Sequence, residues 1–100
     1  MRRYLLIRIY SDNLTALSGE QFNDALLSSV RKYFGEIGVS TIAPKLLRFD
    51  PHRFEAIVGC QKSREKELQA AVALIREIAG SSVAALTVRI SGTIKSLVTS

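Results

Sequence analysis

Few residues in this sequence have the types and spacing for covalent chemistry. Ser91 or Thr93 with Lys95 comes nearest, an alcohol with an amine to serve as its base, but no third group orients the pair. His52, the single imidazole, follows Pro51 in a turn, where solvation is the ordinary fate of such a residue. One cysteine, one histidine and scattered carboxylates make no metal-ligand spacing, so no catalytic residue, metal ligand or protein-bound cofactor is expected. Gly35-Glu36-Ile37-Gly38 has the form of a GXXG phosphate clamp, yet Glu36 would stand among the phosphates; Gly35 reads instead as a helix end.

Binding chemistry is better represented. The run Arg3 to Tyr10 is apolar at nearly every position and reads as a strand near the middle of a sheet. Period-two alternation sends Leu5, Ile7 and Ile9 to one face, which is pure core, and Tyr4, Leu6, Arg8 and Tyr10 to the other. The second face suits a surface that water touches and a partner covers. Its tyrosines stack on bases, merely cap a half-buried sheet, or sit in a protein interface.

The balance of 14 Lys+Arg against 9 Asp+Glu, a net charge of +5, favours polyanionic partners. One hundred residues at 47% hydrophobic suffice for a single domain, residues 1–100, with a core needing neither metal nor disulfide. Cys60 has no partner cysteine, which suits a reducing compartment and a cytoplasmic chain. Arg8 and the polar run Ser11-Asp12-Asn13 interrupt the first apolar stretch, so neither a signal peptide nor a membrane span is expected.

Stepping along the chain, Ser18-Gly19-Glu20-Gln21 forms a capping box opening a helix whose stripe is Phe22, Leu26, Val30, Tyr33 and Phe34 and which Gly35 closes. Residues 36–44 read as a connector with one helical turn, Pro44 pushing Ala43 toward extended geometry. Lys45 to Asp50 and Phe54 to Cys60 make a hairpin; with Phe49 facing Phe54, Leu47, Ala56 and Val58 share the core face and Arg48 lies opposite Glu55. Ser63 caps a second helix with the stripe Leu68, Val72, Ile75 and Ile78, ending before Gly80. Val83 to Ser91 is the last strand, with Thr87 and Arg89 joining the open face, and Gly92 to Val98 is a frayed helical turn.

Strand, helix, strand, strand, helix, strand is the order of two split βαβ units. It implies an α+β, ferredoxin-like and RRM-like two-layer sandwich, with a four-stranded antiparallel sheet and helices on one face. The third strand lacks the aromatic pattern of RNA-recognition sheets, so stacking in their usual manner is not expected.

Several segments together resemble the ribonuclease P protein component 2 family: Phe34-Gly35-Glu36-Ile37-Gly38, Lys45-Leu46 before Phe49-Asp50, Ile57-Val58-Gly59-Cys60, Ala71-Val72-Ala73-Leu74-Ile75 with Gly80, and above all Ser91-Gly92-Thr93-Ile94-Lys95 within Val88 to Lys95. The resemblance implies a non-catalytic subunit of an RNA-based enzyme that removes 5′ leaders from precursor tRNA. It implies as partners the ribonuclease P RNA, precursor tRNA in the holoenzyme and a TIM-barrel-like protein, component 3, with magnesium held by the RNA; a second copy of the chain is a further candidate. On that reading Arg2, Arg3, Arg8, Arg48, Arg89 and Lys95 are expected to contact RNA. Either Ser91 and Thr93 contact phosphate beside Lys95, or Gly92 and Ser91 simply end the last strand. Tyr4, Leu6, Tyr10 and Ile57 are expected at a protein interface. The rival is a protein-interaction or small-ligand regulatory module on the same topology.

Overall fold

The computed structural model describes residues 1–98. Strand β1, Arg2–Tyr10, lies between β3, Glu55–Gln61, and β6, Ala84–Ser91; β2, Lys45–Asp50, completes an antiparallel sheet in the order β2-β3-β1-β6. The two most apolar strands are the central ones, since only a strand paired on both edges can spare so many polar side chains. This is the ferredoxin-like arrangement. Helices α1, Gly19–Ile42, and α2, Glu65–Ala73, lie together on the face formed by Leu5, Ile7 and Ile9, and Phe22, Leu26, Val30, Leu68 and Val72 fill the space between. Ser29, buried on α1, donates to the Ala71 carbonyl of α2 at 2.6 Å, so the small residue at 71 sets how closely the helices approach.

Helix α1 opens with the capping box: Ser18 Oγ accepts from the Gln21 amide and Gln21 Oε1 accepts from the Ser18 amide. Gly35 interrupts it rather than ending it. At φ 71° it breaks the helical ladder, and the chain resumes helix to Ile42. The kink lays Phe34 over Gly38, where an added Cβ would stand 2.2 Å from the Phe34 Cβ. Ala43 then closes the helix in the left-handed region, φ 48°, instead of the extended geometry expected before Pro44, and its amide donates to Val39. Tyr33 leaves the expected stripe and stands 45% exposed.

The β2–β3 register also differs from expectation. Phe49 pairs with Ala56, Arg48 with Ile57 and Asp50 with Glu55, while Phe54 sits in the turn at φ 53°. A bulge at Leu47 shifts the alternation, so Leu46 packs on the core and Leu47 lies beside Gly59 on the other face.

Helix α2 is shorter than its apolar periodicity suggests. Ser63 does not cap it: that residue has φ 75°, and Arg64 occupies the cap position without a side-chain bond. Beyond Ala73 the chain leaves the helix and forms a small hairpin, β4, Glu77–Ile78, and β5, Ser81–Ser82, joined by Ala79 and Gly80, both at positive φ. Ile75 and Ile78 reach the core from this loop and hairpin rather than from a helical stripe.

A second bulge, at Val88, alters the phase of β6. Leu86 and Arg89 share the face of Arg8 and Leu6, whereas Thr87 pairs with Ile7 on the helix side, correcting its expected place on the open face. The tail is an ordered element. Helix α3, Ile94–Val98, folds back over the face away from α1 and α2 and buries Leu97 against Leu6 and Ile57, with Tyr4 and Ile94 alongside.

Candidate nucleic-acid interface

The face of the sheet opposite α1 and α2 gathers cations from every part of the chain. Arg2 and Arg8 come from β1, Lys45 and Arg48 from β2, Arg89 from β6, Arg53 from the β2–β3 turn and Lys95 from α3. Its strand carboxylates, Asp50 and Glu55, are both engaged. Glu55 Oε2 accepts from Arg8 Nε at 2.9 Å and from a second Arg8 nitrogen, and its Oε1 lies 3.6 Å from Arg53 Nε. This carboxylate holds the Arg8 guanidinium still more firmly protonated than usual. Asp50 Oδ1 accepts from the His52 and Arg53 amides at 2.9 and 3.2 Å and shapes the turn.

The remaining cations differ in how far they are committed. Arg2 reaches across Gly59 to donate to the Ala43 carbonyl at 3.0 Å, satisfying the end of α1. Arg48 and Arg89 are exposed and make no hydrogen bond or ion pair among the described residues. Arg3 is separated from the group: alternation turns it to the helix side, where its Nε lies 3.7 Å from Glu65 at the start of α2. The helix layer is mixed in sign: Glu20, Asp24 and Glu36 on α1 and Glu65 and Glu67 on α2 stand among Arg31, Lys32 and Lys66, with Arg31 paired to Glu36 and Arg64 to Glu67. The excess of positive charge therefore lies on the sheet face.

The hydroxyls of Ser91 and Thr93 serve the backbone. Ser91 Oγ accepts from the Thr93 amide at 3.1 Å and Thr93 Oγ1 from the Ser96 amide at 3.3 Å, turning β6 into α3. For Ser91 this fits the strand-ending role. Of the side chains expected at a protein interface, Leu6 and Ile57 are buried and Tyr4 is half-buried under α3, which corrects the expectation of an open surface there; Tyr10 is 47% exposed. The cause is the tail, whose Leu97 covers the apolar center of this face. Sequence reasoning missed Lys45 and Arg53. The Leu47 bulge brings Lys45 to the face of Arg48 despite their odd spacing, and a turn residue has no alternation to read.

The Rpp14/Pop5 family model matches residues 3–99. The chain belongs to the Rpp14/Pop5 family. Ribonuclease P protein component 2 of Pyrococcus horikoshii is 30% identical over 95 residues, covering 95% of this chain and 78% of the relative. The Pyrococcus furiosus protein of the same name is 24% identical, covering 96% and 78%. A chain in the cryo-EM structure of yeast ribonuclease MRP shares the fold, with a TM-score of 0.74 at 14% identity over 92% of this chain and 74% of that one. Membership places the chain in a family of ribonuclease P protein subunits.

Proposed function

We propose that this Rpp14/Pop5 protein is a non-catalytic subunit of ribonuclease P that binds the catalytic RNA through the sheet face carrying α3, and so supports 5′-leader removal from precursor tRNA. The supporting observation is the excess of cations on one face: Arg48, Arg89, Lys45 and Lys95 join Arg2, Arg8 and Arg53 there beside Asp50 and Glu55, whereas the helix carboxylates on the other side are interleaved with Arg31, Lys32 and Lys66. Counterions released as phosphates meet those cations favor RNA on that side. Ser91 and Thr93, the hydroxyls nearest an amine base, are occupied in capping, and bond cleavage belongs to the RNA with its magnesium ions. A TIM-barrel-like component 3 protein is the proposed protein partner and the cytoplasm the proposed compartment; among the described residues no helix is long and apolar enough to cross a membrane.

Reconstitution tests this reading. Precursor tRNA cleavage by the RNA with its partner proteins, at limiting magnesium, is expected to slow when this chain is omitted. Unchanged cleavage would reject the proposal.

A further inference from the structure

On the sheet face lies a cleft of about 600 Å³ between α3 and the β2–β3 turn. Pro51 and Val98, both exposed, give it apolar surface over the buried floor of Leu6, Ile57 and Leu97, and Arg8, Arg48 and Arg53 bring guanidiniums to it. Its two carboxylates, Asp50 and Glu55, are occupied as described above, so of the cleft's three guanidiniums Arg48 is the one without an ion pair among the described residues.

We infer that this cleft takes one unpaired nucleotide of a single-stranded RNA segment, with its base against Pro51 and Val98, which Leu97 anchors, and its phosphate on Arg48. The inference rests on the proposed RNA-binding function and names the form of RNA that the face selects. The cleft falls within the roughly 300–1,000 Å³ of small-molecule sites. A base stacked inside a duplex cannot enter such a cleft, whereas an unpaired one is free to splay out. Charge complementarity alone would also admit an acidic peptide. The combination of an apolar surface with a guanidinium favors a nucleotide, because a planar base covers the first while its phosphate pairs with the second. The tail is part of the site: without Leu97 the cleft loses a wall.

Fluorescence anisotropy on the full chain separates the possibilities. The probes are a labelled oligouridylate and the same strand annealed to oligoadenylate, with oligoglutamate as competitor. The single strand is expected to bind about tenfold more tightly than the duplex, with oligoglutamate a poor competitor. Arg48→Ala is expected to weaken single-strand binding and to lower its log–log salt slope by about 0.7, one phosphate contact. Leu97→Ala is expected to weaken it with the slope unchanged, a far-UV spectrum confirming the fold, and Lys66→Ala on α2 to leave it as it was. Equal affinity for the duplex, displacement by oligoglutamate at matching concentration, or wild-type binding by both Arg48→Ala and Leu97→Ala would overturn the cleft assignment. If the chain accelerates the ribozyme while both variants bind as wild type, the cleft fails and the function stands. Selective single-strand binding by a chain that leaves the ribozyme unaffected gives the reverse.

Discussion

The Arg2 guanidinium crosses the sheet to the carbonyl of Ala43, passing over Gly59, where an added Cβ would lie 3.2 Å from its nearer nitrogen. A strand terminus is thereby tied to the end of α1 through the narrow gap above Gly59. Arg2→Met is expected to cost about 1 kcal/mol, the worth of a partly exposed charged hydrogen bond at a helix C-terminus. Gly59→Val should remove the same bond by blocking its path, so the two substitutions together should cost less than their sum. Urea titration of the double-mutant cycle checks this; strict additivity would show that Gly59 does not serve Arg2.

The kink in α1 gives two glycines separate reasons. Gly35 holds φ 71° with ψ −174°, a backbone region essentially reserved for glycine, so Gly35→Ala is expected to cost about 1–3 kcal/mol of strain although the space around it is open. Gly38 meets the Phe34 Cβ, which cannot swing aside, so Gly38→Ala is expected to cost about 1–3 kcal/mol through overpacking. Thermal melts that showed either substitution to be neutral would remove the kink as the reason for the pair of glycines.

Cys60 is fully buried, and desolvation, reinforced by Glu65 and opposed by Arg2 and Arg3, pushes its thiol up to about 11. The folded state therefore holds this proton more tightly than the unfolded chain. The resulting stability is complete below the ordinary thiol range near pH 9 and is lost as pH rises toward 11, on the order of 2–3 kcal/mol. Urea midpoints measured between pH 8 and about 11 for the protein and for Cys60→Ala should diverge in slope across that window only for the thiol form. Parallel curves would contradict the shift.

How much of this was legible beforehand depended on which force decided each element. The Ser18–Gln21 box and the central strand Arg2–Tyr10 were readable because local hydrogen bonding and continuous burial agree there. Helix α2 was overextended because Ile75 and Ile78 keep helical spacing while reaching the core from a hairpin, whose Ala79-Gly80 turn lacks the usual asparagine or aspartate. The bulges at Leu47 and Val88 each invert the parity of a strand, which hid Lys45 and misplaced Thr87. The role of the tail escaped because it depends on contact between Leu97 and Ile57, forty residues apart in the chain, and only the folded sheet brings them together. Arg8, Arg48 and Arg89 were legible as one face, whereas Arg3 followed its odd number to the other.

The central claim is that RNA lies on the α3 side of the sheet and not on the α1 side. A photo-reactive phenylalanine analog replacing Val98 on α3, or Tyr33 on α1, tests it in the reconstituted particle, since both positions are exposed, at 43% and 45%. Irradiation is expected to join position 98 to the RNA and to leave position 33 free of it; RNA adducts from position 33 with none from position 98 would contradict the assignment.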